Sequence, residues 1–370
     1  MSGTPSSRSN RVSAYDGIRG IAIVAVVAYH VSPGLVPFGA IGVTVFFVLS
    51  GYLISRLMLN ERTSNGRFDY AAFYARRAIR LFPALIVLVI GMAVLMIVVR
   101  DPQLTSSYPV EAILALLYLG DIAQPLHQPM PVLGHTWSLA VEEQFYLVWP
   151  VILLVLLLRM SRGNPRRVLY TVATMTAVAG AWRLLVTFTS DDIQRFYFAP
   201  DTNAFPLLVG ALLAVMPEKL PWLGRRLPWL ALASTALLVA ICVVPISGDD
   251  LGHWRLQMLA GTLAALIAAV LVYAATPAGS FLSSRPLVWT GRISYGWYLW
   301  HAAIVGLRPR GELLFDSAPK HVVAVLLALL IAVLSYYYIE IPLQRWLRPR
   351  FERTRGLLTA KGDATTEQVQ

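Results

Sequence analysis

Apolar residues in this chain come in long runs, separated by short segments that are mostly basic. Ten of the runs predict membrane-crossing helices, at 17–31, 40–58, 81–99, 137–158, 168–188, 203–216, 227–247, 255–275, 292–307 and 321–341. Crossing hydrocarbon takes about 20 apolar residues, fewer where a helix ends in protein or interface. An eleventh run, "VEAILALLYLGDI" at 110–122, is shorter and acidic near both ends. It reads either as another span or as a re-entrant or interfacial helix.

Charge chooses between these. If 110–122 does not cross, 23 of the 31 Lys and Arg fall on the side of the N-terminus and 6 on the other, with Arg19 and Arg183 inside spans. If it crosses, the basic loops at 159–167 and 217–226 change sides. Basic loops stay cytoplasmic, so the asymmetry predicts both termini in the cytoplasm. The fold class is an all-α polytopic membrane protein of about ten transmembrane helices plus one short re-entrant or interfacial helix. The expected organisation is a cytoplasmic tail at 1–12, a membrane domain at 13–345, and a polar, disordered cytoplasmic tail at 346–370 that carries no soluble C-terminal domain.

Composition agrees. Of 370 residues 57% are hydrophobic and 14% charged, with a mean hydropathy of +0.61. A soluble domain of this size needs more polar surface. The net charge of +11 therefore reads as membrane topology, and nucleic acid is not an expected partner. The first apolar run has no small-residue cleavage site after it and is expected to be retained. Cys242 is the chain's one cysteine, so no disulfide forms within the chain and no zinc-type cluster exists; no metal site is expected. No internal repeat is evident.

Several polar residues interrupt the apolar runs. Arg19 and His30 lie eleven residues apart in the first span, close to three helical turns and roughly 16 Å along the axis. They share a face, with the arginine near one end and the histidine near the other, which suggests a polar lane with a different task at each end. In "FYARRAIRLFP" (73–83), Arg77 and Arg80 are three apart and face the same way, a spacing suited to phosphate; Arg76 lies beside them. In "GHTWSLAVEEQFYLVWP" (134–150), Ser138 and Glu142 share a helix face. A glutamate beside a histidine orients it and raises its basicity. Glu143 is adjacent, and two adjacent glutamates are not expected to face one neighbour. "GRISYGWYLWH" (291–301) brings Ser294, Tyr295, Tyr298 and His301 into a span. Glu340 ends the last span and is expected to pair with a basic loop; Arg183 is a charge inside a span with no evident partner.

Together these stretches resemble the acyltransferase-3 family of bacterial integral membrane proteins, over about 12–345. Arg19 and His30 match its Arg-x10-His, "GVTVFFVLSGYLI" (42–54) is similar to its second span, and Arg77 and Arg80 match its Arg-x-x-Arg. "TWSLAVEEQFYLVWP" matches its Trp-Ser-Leu-x-x-Glu stretch, with the family glutamate at Glu142, and "GRISYGWYLWH" is similar to its late Ser-Tyr…His stretch. The resemblance implies a standalone form, without a C-terminal SGNH domain, in the bacterial cytoplasmic membrane. It implies O-acylation, often acetylation, of a carbohydrate or glycosylated acceptor. No cofactor is bound; acyl-CoA, in the acetyl form, is the co-substrate. On this reading Arg77, Arg80 and Arg19 hold the donor's phosphates and the pantetheine arm runs up the polar lane. His30 acts on the thioester as base or as acyl carrier, supported by Glu142, while Ser138, Ser294, Tyr295 and His301 serve the oxyanion or the acceptor. The competing readings are acylation of a small secondary metabolite such as a macrolide, and a proton-coupled carrier or flippase.

Overall fold

The computed structural model describes residues 13–66, 68–160, 165–216, 226–245, 249–275, 281–308, 314 and 317–351. Among these there are helices and turns and no strand. The helices are α1 (Ser13–Val31), α2 (Ile41–Asn65), α3 (Tyr70–Val99), α4 (Pro102–Leu116), α5 (Gly120–Ala123), α6 (Trp137–Met160) and α7 (Pro165–Thr189). They continue with α8 (Ile193–Phe198), α9 (Pro200–Val215), α10 (Leu227–Cys242), α11 (Asp250–Ala274), α12 (Arg285–Val305) and α13 (Ala318–Ser335). The protein is an all-α polytopic membrane protein. Among the described residues, eight helical segments are long and apolar enough to cross a membrane, counting α8 and α9 as one run, and α10 is a shorter apolar helix. With α12, each of the ten expected spans is a helix.

The run at 110–122 is not one helix. α4 already starts at Pro102, capped by the Asp101 carboxylate, which accepts from the Leu104 N–H at 3.0 Å. It stops at Leu116, and Tyr118 turns the chain with a φ of 54° before the four-residue α5. At the other end, the helical run that holds α13 continues through a π-helical turn, Tyr336–Glu340, to Phe351. Helix thus extends beyond the expected boundary at 345. The 1–12 segment and the tail from 352 lie outside the described residues.

The apolar pattern explains both the packing and the membrane surface. On α3, Ala84, Leu85, Leu88, Met92 and Met96 are buried, whereas Ile86, Ile90, Val94 and Ile97 are exposed. Each set recurs every three or four residues, so one face meets protein and the other is an apolar stripe of the kind lipid covers.

Contacts divide the chain into two compact units. The first takes Met1–Ser55, Val151–Tyr197 and Asp201–Ser294; the second takes Arg56–Pro150, Phe198–Pro200 and Tyr295–Gln370. In the first, α1 meets the Phe281–Ser283 turn and the start of α12 at backbone distance. A Cβ at Gly291 would lie 1.7 Å from the Asp16 carbonyl oxygen, and one at Gly17 would lie 1.8 Å from that of Leu282. Small residues permit this approach, and van der Waals contact then holds the helices. In the second, the buried face of α3 packs with Leu299, Ala303, Ala324 and Ala328.

Prolines inside helices place polar side chains. Pro150 lies within α6 and has no N–H for the carbonyl four residues back, that of Tyr146. The Tyr74 hydroxyl donates to that carbonyl, and the Tyr70 hydroxyl, one turn earlier, donates to the Pro150 carbonyl at 3.1 Å. In the first unit, Pro206 frees the Thr202 carbonyl in the same way, and Arg183 Nη1 donates to it at 2.8 Å.

Candidate functional site

In the first unit the close approach at Gly17 and Gly291 encloses Asp16, which is 1% exposed. Its carboxylate faces two guanidiniums, Arg19 at 3.5 Å and Arg292 at 3.9 Å. Two cations thus approach this one anion. Arg19 was singled out by the sequence; Arg292 was missed, although it stands in the "GRISY" stretch.

His30 is half-buried at the far end of α1. Its Nδ1 lies 2.9 Å from the Val26 carbonyl. A carbonyl only accepts, so Nδ1 carries the proton and Nε2 is the basic nitrogen. The Tyr29 ring meets the imidazole edge-on, 5.1 Å between centroids. Arg183, also in this unit, is 3% exposed. Besides Thr202, it donates to Thr262 Oγ1 at 3.1 Å and Asn203 Oδ1 at 3.2 Å. Its partners are neutral, and among the described residues no carboxylate is within salt-bridge range of it.

In the second unit Arg77 of α3 reaches both adjacent glutamates of α6. Its Nε donates to Glu143 Oε1 at 2.7 Å, and its Nη2 lies 3.6 Å from Glu142 Oε2. Its guanidinium carbon stands 3.5 Å from the centroid of the Tyr146 ring. This corrects the expectation that neighbouring glutamates do not share a partner: a long fork entering between two positions on a helix bridges the turn between them. Two carboxylates thus face one guanidinium. Arg80, one turn further along α3, is exposed.

The hydroxyls of the late helix donate within the protein. Tyr298 donates to the His135 carbonyl at 2.8 Å, so the Ser138 hydroxyl, 2.6 Å away, is the donor to Tyr298. Tyr295 donates to the Leu81 carbonyl at 3.0 Å, and Ser294 to the Gly291 carbonyl at 2.9 Å. His301 is fully buried with Nδ1 held by the Trp297 carbonyl at 3.0 Å, the same tautomer lock as in His30. Glu340 feels the charge of Arg80, from the basic stretch at the start of α3. It is buried and accepts from Ser335 Oγ at 3.3 Å.

The turn after α4 carries a polar network that the sequence did not reveal. The Leu119 N–H reaches the Leu114 carbonyl at 2.9 Å and the Tyr118 N–H reaches that of Ala115 at 3.2 Å. This is a Schellman end, whose left-handed residue is usually glycine. Tyr118 occupies it at a strain of about 1–2 kcal/mol. Gln144 Nε2 clasps the turn, donating to the Tyr118 carbonyl at 3.0 Å and to Asp121 Oδ1 at 2.8 Å. Asp121 is fully buried, its Oδ2 has no partner among the described residues, and burial pushes its carboxyl up to about 7. Nearby, Glu111 accepts from the Val132 and Leu133 N–H groups at 2.8 Å each, and burial raises its carboxyl as well.

Tyr118, Arg77 and Glu143, with Tyr74, Leu81 and Phe82, line a cavity of about 180 Å³. The family model for an acyltransferase domain, acyltransferase 3, matches residues 12–340. The chain belongs to the acyltransferase-3 family. A peptidoglycan O-acetyltransferase of Listeria monocytogenes is 32% identical over 356 residues, covering 90% of this chain and 56% of that protein. A putative peptidoglycan O-acetyltransferase of Bacillus subtilis is 31% identical, covering 90% and 55%. An O-acetyltransferase of Staphylococcus aureus is 29% identical, covering 89% and 57%. The chain spans about half the length of the curated relatives it matches. No solved structure gives a significant match. In this acyltransferase-3 chain, His30 and Arg19 belong to the first unit, and Arg77, Arg80 and Glu142 to the second. Tyr118, Asp121 and Gln144 carried no sequence signal that singled them out, since a left-handed turn at a tyrosine has no composition mark.

Proposed function

We propose that this protein is a membrane O-acyltransferase that moves an acetyl group from acetyl-CoA to a hydroxyl of a cell-wall carbohydrate. Family membership and the peptidoglycan O-acetyltransferases among its relatives support the reaction class. The observation that carries the mechanism is the locked tautomer of His30, which leaves Nε2 as the basic atom. A general base needs that lone pair. Nε2 takes the proton of the acceptor hydroxyl as its oxygen attacks the thioester carbonyl. The C–S bond then breaks, and the imidazolium returns the proton to the departing thiolate.

The excess of Lys and Arg on the side of the N-terminus supports cytoplasmic termini in the cytoplasmic membrane, with the donor arriving from that side. Arg80, exposed one turn along α3 from Arg77, is the cation for the donor's phosphates. The test uses purified protein in liposomes, radiolabelled acetyl-CoA and a peptidoglycan fragment as acceptor. Ester formation is expected to vanish in His30→Ala, and the KM for acetyl-CoA to rise in Arg80→Ala with kcat little changed. Equal turnover in wild type and His30→Ala refutes the mechanism. Labelled protein that accumulates without acceptor replaces the base step by an acyl-enzyme.

A further inference from the structure

We propose that the helical end at 342–351 binds the phosphate headgroups of anionic lipids, with Trp346 at the bilayer surface and Arg345 and Arg348 meeting the phosphates. This goes beyond acyl transfer and does not rest on it. Three features of the second unit point there. The first is length. The helical run Pro319–Phe351 has 33 residues, about 50 Å at 1.5 Å per residue, against roughly 30 Å of hydrocarbon. A tilt of about 40°, the upper end for such helices, still leaves about 38 Å. One end therefore leaves the hydrocarbon. Val322, Leu326, Leu330 and Leu334 are exposed along the first half of the run, so the C-terminal end is the one that emerges.

The second is charge. "PLQRWLRPRF" (342–351) holds three arginines and no acid. All three are exposed, and Arg345 and Arg348 have no ion pair among the described residues. A cation beside a span is drawn to the negative surface of a bilayer, worth about fivefold in affinity for each.

The third is an aromatic anchor. Trp346 is 54% exposed. The Arg350 guanidinium carbon stands 3.7 Å from the centroid of its ring, and Arg350 Nη1 donates to the Trp346 carbonyl at 3.2 Å. Indoles collect at headgroup level, so a tryptophan among arginines holds them at the depth of the phosphates. Exposure recurs at Leu330, Leu334, Tyr338, Pro342 and Trp346, in steps of four. Four residues overshoot an α-helical turn, and the wider π-helical turn at Tyr336–Glu340 takes back part of that drift. The lipid-covered side of α13 thus carries on to Trp346. A soluble phosphate would suit the arginines as well; the indole and this continuity favour a lipid.

The experiment places full-length protein in phosphatidylcholine vesicles that contain a small fraction of brominated lipid, either phosphatidylglycerol or phosphatidylcholine. Bromine quenches tryptophan on contact, and the difference between wild type and Trp346→Phe isolates Trp346 among the ten tryptophans. Brominated phosphatidylglycerol is expected to quench Trp346 several-fold more than brominated phosphatidylcholine at equal fraction. The preference is expected to fall close to parity in Arg345→Gln plus Arg348→Gln and to persist in Arg345→Lys plus Arg348→Lys. Equal quenching by the two lipids in wild type, quenching by neither, or a preference that survives in the glutamine pair overturns the proposal. Loss of the preference from the lysine pair overturns it too, since charge is then not the cause. Sodium phosphate that abolishes the preference, where sodium chloride of the same ionic strength does not, assigns the arginines to a soluble phosphate and removes the lipid.

Discussion

Replacing Asp121 with asparagine is expected to stabilise the protein at alkaline pH and to change little near pH 4. The carboxyl is fully buried, and burial moves it from 3.8 to about 7. The folded state therefore holds a proton that the unfolded state gives up near pH 4. Between these values the unfolded chain binds fewer protons, so stability falls as pH rises and levels off above about 7. The gap corresponds to a loss of up to about 4 kcal/mol, at 1.36 kcal/mol per pH unit. Asparagine keeps the acceptor for Gln144 and never ionises. Thermal unfolding of detergent-purified protein across pH 4.5–9 reads the effect. Wild type should lose melting temperature toward pH 7 and then plateau, and Asp121→Asn should run flatter and lie above wild type at pH 8. Glu111 is also raised and keeps its own slope in both proteins, so Glu111→Gln is the companion control. Parallel curves for wild type and Asp121→Asn would refute the argument.

Two further substitutions test the packing. Arg183→Met is expected to destabilise by about 1–3 kcal/mol, because it orphans the Thr202 carbonyl. Adding Pro206→Ala should recover part of the loss by restoring a backbone N–H for that carbonyl, and simple additivity in denaturant or thermal unfolding would contradict the pairing. Gly291→Val is expected to abolish monodisperse protein in size-exclusion chromatography, since its Cβ would lie 1.7 Å from the Asp16 carbonyl oxygen. Gly34→Ala, with nothing within 4 Å of the added Cβ, should behave as wild type. A well-behaved Gly291→Val would show that α1 and α12 do not meet at backbone distance.

How far the sequence could be read follows from what kind of fact each feature is. Every expected span is helical because a run of apolar residues in hydrocarbon has to satisfy its own backbone. That constraint is local, so it can be read from the chain. The run at 110–122 was harder, because its break depends on Tyr118 adopting a left-handed backbone that Gln144, distant in sequence, clasps. The pairing of Arg77 with both glutamates was not legible either. Face geometry on α6 separates Glu142 from Glu143, and only the reach of a guanidinium from α3 joins them.

Arg183 lies between these cases. Its partner carbonyl is invisible to residue-type arguments, yet a proline inside a span always frees the carbonyl four residues earlier. At Pro206 the freed group takes Arg183, and at Pro150 it takes Tyr74, which itself lines the cavity. Both carbonyls, Thr202 and Tyr146, are fixed by the sequence alone. What the sequence does not fix is the donor, because that depends on which helix packs alongside. A buried carbonyl without an N–H costs about 1–3 kcal/mol, and at Pro206 and Pro150 a neighbour with a long polar side chain meets it. Polar residues inside this membrane protein are thus placed first by backbone need.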